Sequence, residues 1–239
     1  MCEDEVASSQ QPVEGDNGRM SVLITGASGG LGTAVCQAFL ETGATVIGAA
    51  RSWTEPVSFM TLAVDLTTAE GCEAMVEQAL AQGPIDALVH ILGGFGGGEP
   101  VGGTSDKTWD GMMTLNLRAA FCAMRAVLKP MTAAEYGRIV AVGSRAAVEP
   151  MPNFAAYSVS KAGLVALVKN VAAENKDLGI TANVVLPSII DTPLNRQAMP
   201  KSDFSRWVKP GSIAKTLVWL SSREAGDVSG AVIPIYGRA

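Results

Sequence analysis

The sequence predicts an α/β fold, a single doubly wound domain whose mostly parallel, seven-stranded sheet is flanked by helices. Three observations predict it. Short runs rich in β-branched residues alternate with longer segments of helical spacing over residues 20–239, the order of repeated βαβ units. Several of the short runs are apolar almost throughout, as strands covered on both faces are. A glycine-rich turn, TGASGGLG at residues 25–32, follows the first run directly and leads into the first helical segment.

Taken in order, the expected strands are 21–25 (SVLIT), 44–50 (ATVIGAA), 60–64 (MTLAV), 86–92 (DALVHIL), 137–143 (GRIVAVG), 180–186 (ITANVVL) and 231–235 (AVIPI). Helical spacing marks 30–42, 68–81, 106–129, 155–177 and 212–221. In the third of these, Trp109, Met113, Leu117, Phe121, Met124 and Leu128 recur every three or four residues, an apolar stripe suited to the core or to a subunit contact. The segment GFGGGEPVGG at 94–103 has the composition of a flexible cleft wall. Residues 1–19 are polar and acidic without apolar periodicity, and are expected to form a disordered tail ahead of the domain at 20–239.

Composition narrows the function. Hydrophobic residues make up 48% and charged residues 17%, fitting a packed interior. A formal net charge of −5 disfavours nucleic acid as the main partner, because phosphate binding needs a basic face. No apolar run reaches the ~18 residues of a membrane span, and the N-terminus lacks the pattern of a secretory signal, so a cytoplasmic location is expected. The four cysteines, Cys2, Cys36, Cys72 and Cys122, have no metal-ligand spacing and read as reduced structural thiols. His90 is the only histidine, which excludes a multi-histidine metal site and disfavours a Ser-His-Asp hydrolase unless His90 itself is the base. No metal is expected.

The turn after the first strand carries the first chemistry. Glycines at 26, 30 and 32 permit a tight bend and close backbone approach, so that a pyrophosphate can rest on amides at a helix N-terminus; Ser28, Gly29 and Leu31 belong to the same cradle. A second constellation follows downstream. Tyr157 and Lys161 stand four residues apart on a helix and share one face. A phenol has an unperturbed pKa of about 10 and a nearby cation favours its ionised form, so the pair suits proton transfer. Ser144, closing the preceding strand, is placed to hydrogen-bond a substrate oxygen.

With its Gly-x-x-x-Gly-x-Gly spacing, the serine and the YxxxK pair, the chain resembles the short-chain dehydrogenase/reductase family over residues 20–236. The resemblance implies a Rossmann fold and an NAD(P)-dependent oxidoreductase acting on a carbonyl or hydroxyl of a small or medium organic molecule. It implies that Tyr157 is the acid and base, that Ser144 orients substrate, that Lys161 also binds the nicotinamide ribose, and that Asn116 is a structural and proton-relay residue. Asp65 and Leu66 resemble the family's adenine-contacting pair. The run PSIIDT at 187–192, with Pro187, Ile190 and Thr192, resembles the segment holding the nicotinamide end. The chain departs from the pattern at 90–93, where HILG, containing Leu92 and Gly93, stands for NNAG, and at Ser188, which replaces a glycine. His90 then reads as a strand-end structural residue.

At the end of the second strand, where an acidic residue would bind ribose hydroxyls, stand Ala50 and Arg51. A guanidinium there can pair with a 2′-phosphate, so NADP is favoured, with NAD as the alternative. Substrate selection is expected in 193–210, where Met199, Phe204 and Trp207 are candidates to close over a ligand, with surface packing as the alternative. This segment, with the 93–98 glycine run, is similar to dihydropteridine reductases, although those carry an acidic residue in place of Ala50 and lack the serine. Two other readings therefore stay open: pterin reduction, and a catalytically silent nucleotide-binding sensor. The family resemblance further implies a homodimer or homotetramer through helices 106–129 and 155–177.

Overall fold

A computed structural model describes residues 19–239. Apart from Arg19, the expected tail lies outside the described residues, as does Cys2. Seven strands form one sheet: β1 (Ser21–Thr25), β2 (Thr45–Ala50), β3 (Met60–Ala63), β4 (Ala87–His90), β5 (Gly137–Val142), β6 (Ile180–Pro187) and β7 (Val232–Ile235). Every pairing is parallel, in the order β3-β2-β1-β4-β5-β6-β7. The apolar runs end up where their composition demands: all residues of β4, β5 and β6 are buried, and the edge strands β3 and β7 are partly open.

Helices cover both faces. They are α1 (Gly32–Glu41), α2 (Ala69–Leu80), α3 (Asp106–Met112), α4 (Ala119–Ala133), α5 (Ala155–Asn175), α6 (Pro193–Ala198) and α7 (Pro210–Ser221). Successive residues of a strand serve opposite faces. In β1, Leu23 packs with Met75 of α2, Val127 of α4 and Leu164 of α5 in one core cluster. Its neighbours Val22 and Ile24 pack with Phe39 of α1 and Leu217 of α7 in the other. Cys36, Cys72 and Cys122 are free and buried in these cores; burial pushes the Cys36 and Cys72 thiols up to about 12, which keeps them protonated and inert.

Two expectations are corrected. The helix expected over 106–129 is continuous in direction but not in winding, because a π-helical segment, Met113–Arg118, joins α3 to α4. Wider winding shifts the phase of the 3.6-residue period. The expected stripe is therefore split: Met124 is 1% exposed, whereas Trp109 is 39% and Phe121 45% exposed. Within the segment read as a lid, the chain forms α6, started by Thr192, whose hydroxyl accepts from the Asn195 amide at 3.3 Å, and by Pro193 in the first turn. No helix of the described residues is long and apolar enough to cross a membrane.

Strand order reverses between β1 and β4, so the loops after these strands diverge. A crevice opens there at the carboxyl ends of the sheet.

Candidate active site

The crevice is a groove of about 590 Å³. Residues following β2 and β3 line one end, and residues following β5 and β6 the other. With parallel strands roughly 4.8 Å apart, the four steps from β3 to β5 span roughly 19 Å.

The turn between β1 and α1 forms the floor near the middle. The Gly26 amide donates to the Ala49 carbonyl at 2.9 Å while its φ is +70°, a conformation that glycine adopts without strain. A Cβ on Gly26 would lie 2.8 Å from the Leu92 amide nitrogen, so only a bare backbone lets the turn press against the loop after β4. A Cβ on Gly32 would overlap the Gly26 carbonyl. Ser28, Gly29 and Gly30 are exposed in the groove, Leu31 lines it, and no side chain caps α1, leaving its first amides available to an anionic ligand. These features fit a pyrophosphate.

At the β2 and β3 end, Arg51, Asp65 and Leu66 share the groove. The Asp65 carboxylate accepts from the Thr67 hydroxyl at 2.7 Å and the Thr67 amide at 2.9 Å; these bonds, with a smaller contribution from Arg51, hold its pKa below the usual value. Arg51 is exposed and forms no ion pair among the described residues, whereas Asp65 is already engaged. The groove therefore offers a free guanidinium at this end.

Lys161 is buried and lies in the floor toward the other end, donating to the Val142 carbonyl at 3.1 Å. Burial lowers its pKa to about 8. A Cβ on Gly93 would come within 2.9 Å of Lys161 Nζ and 2.8 Å of Asn116 Oδ1, so this glycine leaves room for both groups. Asn116 sits in the π-helical segment, fully buried behind the groove rather than in its lining. It exchanges two hydrogen bonds with Gly94, accepting from the amide at 2.8 Å and donating to the carbonyl at 3.0 Å, and donates to Ser160 Oγ at 3.1 Å. Asn116 thereby ties the loop after β4 to α5.

Tyr157 lies one turn before Lys161 on α5 and is half-buried. Burial raises its pKa, and a hydrogen bond with Ser144 opposes the rise. At neutral pH the phenol is protonated, the form that can donate. Ser144 follows β5, and its hydroxyl also accepts from the Ala146 amide at 3.2 Å. Serine and tyrosine, 13 positions apart in sequence, are thus brought together by the packing of α5 against β6 and the turn after β5.

Beyond β6, Ile190 and Thr192 line the groove, and Thr192 approaches the glycine turn so closely that a Cβ on Gly30 would be 3.3 Å away. Pro187 is outside the lining, buried in β6 opposite Ile235. Ser188, in place of a glycine, uses its hydroxyl to donate to the Tyr236 carbonyl at 2.6 Å. Asp191 bridges Arg196 and Lys209, both at 2.5 Å, which hold its carboxyl well below the usual range and fasten α6.

The lid residues are corrected. Trp207 is 5% exposed and packs against Phe204 at 4.7 Å between ring centroids, and neither these nor Met199 line the groove. Leu194 and Asn195 line it instead. Sequence reasoning also passed over Phe95 and Phe154. Phe95 stacks on Phe154 at 4.8 Å and meets Tyr157 edge to face at 5.0 Å. The available signal was a single phenylalanine inside a glycine run next to a motif.

Residues 20–203 match the family described as short chain dehydrogenase. The chain is 32% identical to nodulation protein G of Azospirillum brasilense, covering 90% of this chain and 96% of that protein. It is 30% identical to the short chain dehydrogenase adrF of Penicillium rubens, covering 90% and 94%. Among solved structures, the aldohexose dehydrogenase of Thermoplasma acidophilum superposes with a TM-score of 0.85 at 26% identity, covering 92% of this chain and 93% of that one.

Proposed function

Since the chain belongs to the short-chain dehydrogenase family, we propose that it is an NADP(H)-linked oxidoreductase acting on a carbonyl or hydroxyl group of a small or medium organic substrate. The observation that carries this reading is the joining, in one groove, of an amide-lined glycine turn with Tyr157 and Lys161, with Ser144 beside the tyrosine just outside the lining.

The fit to a dinucleotide rests on the bare turn, where side chains at 26 and 32 have no room, and on the open groove beside it. In this reading Gly26, Ser28, Gly29, Gly30 and Leu31 hold the pyrophosphate, Asp65 and Leu66 border the adenine, and Leu92, Gly93, Ile190 and Thr192 border the nicotinamide end, with Pro187 fixing the strand that leads there. Arg51 receives the 2′-phosphate and so favours NADP over NAD. When bound, the dinucleotide supplies or accepts the hydride.

The chain's own residues do the rest. Ser144 donates a hydrogen bond to the substrate oxygen and holds it beside the phenol. Tyr157 gives its proton to that oxygen during reduction and takes it back during oxidation. Lys161, a buried cation one turn away, stabilises the phenolate left after proton donation. Asn116 positions the loop after β4 and serves the proton relay that the family resemblance implies. A silent sensor would have no need of a protonated phenol with a serine hydroxyl beside it.

Assembly belongs to the same reading. Trp109 and Phe121 are large apolar side chains left exposed along the α3 to α4 run, as is Val159 on α5, which suits a homodimer or homotetramer. Light scattering should give a mass of two or four chains; a monomer at micromolar concentration counts against it. The function itself is tested by following NADPH and NADH consumption with ketones, β-ketoacyl thioesters and quinonoid dihydropterin. Turnover of at least one substrate with NADPH preferred is expected; tight cofactor binding without turnover of any overturns it.

A further inference from the structure

From the side chains around Tyr157 we infer a substrate class, resting on the oxidoreductase reading above: a flat, uncharged ring that carries the reacting carbonyl and stacks on Phe95. Phe95 is 62% exposed, yet it is not loose. Its ring lies on Phe154 at 4.8 Å with the planes 28° apart, and it meets Tyr157 in a T-shaped contact at 5.0 Å that sets it beside the phenol.

The backbone beneath holds it there. The Gly98 amide donates to the Asn153 carbonyl at 2.8 Å, and a Cβ on Gly97 would lie 2.7 Å from the Phe154 ring, so the glycine run is pressed onto the segment that carries Phe154. On the other side, Asn116 clamps Gly94 through two bonds. An exposed aromatic face fixed from both sides is a preformed platform, and ordering it costs no further entropy on binding.

The charge pattern agrees. Among the described residues that line the groove, the charged side chains are Arg51, Asp65 and Lys161. Arg51 and Asp65 follow β2 and β3, away from Tyr157, and Lys161 is buried and bonded to the Val142 carbonyl. Arg145, next to Ser144, is engaged by Glu149 at 2.8 Å and by the Ala239 carbonyl at 2.7 Å. Among the described residues, therefore, no free cation waits beside the phenol for a carboxylate or phosphate. Leu194, 74% exposed, adds a second apolar group from the far side of β5, the strand that leads to Ser144. Offset-stacked or edge-to-face rings gain energy beyond their buried area, so a planar ring benefits from this wall more than a flexible open chain does.

The test compares 9,10-phenanthrenequinone with the open-chain ethyl acetoacetate in the full chain, measuring both NADPH turnover and equilibrium binding of each probe. The quinone should have the higher kcat/KM, and Phe95→Ala and Phe95→Leu should each reduce its advantage by about tenfold, mainly through KM, with Phe95→Tyr restoring it. A ketoester preference, or an advantage unchanged in both variants, overturns the proposal while leaving the oxidoreductase reading intact. If neither probe is turned over, quinone binding that weakens in Phe95→Ala and Phe95→Leu upholds the platform, and the oxidoreductase reading is decided separately by the wider substrate panel; absence of quinone binding overturns the platform.

Discussion

Thr25 and His90 join β1 to β4 through their side chains: Thr25 Oγ1 and His90 Nδ1 are 3.0 Å apart, and both residues are completely buried. Thr25 also accepts from the Leu92 amide at 3.5 Å, so this pair sits where the glycine turn meets the loop after β4. His90 Nε2 has no partner among the described residues, and burial, with Lys161 nearby, lowers the imidazole pKa to about 3.

That depression has a sign and a pH window. The folded state keeps His90 neutral down to about pH 3, while the unfolded chain takes up a proton near its unperturbed 6.5. As pH falls below 6.5 the unfolded state binds more protons, so stability is lost. At pH 5 the 1.5-unit gap corresponds to about 2 kcal/mol at 1.36 kcal/mol per unit. Because His90 is the only histidine, no other imidazole adds to the slope between pH 7 and 5. Urea denaturation across that range should show the loss in the parent and a flatter profile in His90→Gln. An equal slope in both would show that His90 does not control it.

Tyr157→Phe keeps the ring that touches Phe95 and removes only the hydroxyl. If the phenol is the proton donor, single-turnover reduction should slow by about 10²- to 10⁴-fold, the usual contribution of a placed acid. The dissociation constant of NADPH should stay within about threefold. A rate near that of the parent removes Tyr157 from the mechanism.

The elements legible in the sequence were those decided by local pattern. The central strands β4, β5 and β6 were readable because parallel strands covered on both faces are apolar runs, the edge strands because of their β-branched and apolar residues, and the glycine turn because the bend itself requires glycine. β4 ends at His90, two residues short of the apolar run that continues to Leu92, because the Leu92 amide has already turned to the Thr25 hydroxyl. Asn116, Ser144 and Pro187 were named in sequence but stand outside the groove lining, since motif spacing gives no depth. The π-helical segment is invisible to a 3.6-residue template, and the stripe drawn through it was split for that reason. Trp207 and Phe204 read as lid residues because an aromatic at a polar segment's end has the same signature whether it covers a ligand or packs inward. Phe95 matters through contacts with residues 59 and 62 positions away, which no local pattern encodes.

Arg51 is exposed and forms no ion pair among the described residues, while Asp65 is held by Thr67. Arg51→Ala should weaken NADPH binding by about tenfold, the scale of an exposed charge-assisted contact, and change NADH binding by less than about threefold. Raising salt should narrow the gap between the cofactors in the parent and have little effect in the variant. Equal losses for both cofactors would point to a general role for Arg51 and away from phosphate recognition.

Gly26 and Gly43 separate backbone strain from steric contact, because both have positive φ, +70° and +82°, in different surroundings. At Gly43 a Cβ meets nothing within 4 Å, so Gly43→Ala carries only the left-handed penalty of about 1–2 kcal/mol. At Gly26 the same penalty is joined by approaches of 2.8 Å to the Leu92 nitrogen and 3.0 Å to its Cα, both backbone atoms that cannot swing aside. Overpacking of this kind costs about 1–3 kcal/mol more. Relief would require the turn to move off the loop after β4, distorting the amide cradle as well as lowering stability. Gly26→Ala should therefore lose more in urea midpoint than Gly43→Ala and weaken NADPH binding at least about tenfold, while Gly43→Ala binds NADPH as the parent does. Equal midpoints and equal cofactor affinities in the two variants would mean that the turn does not depend on its contact with Leu92.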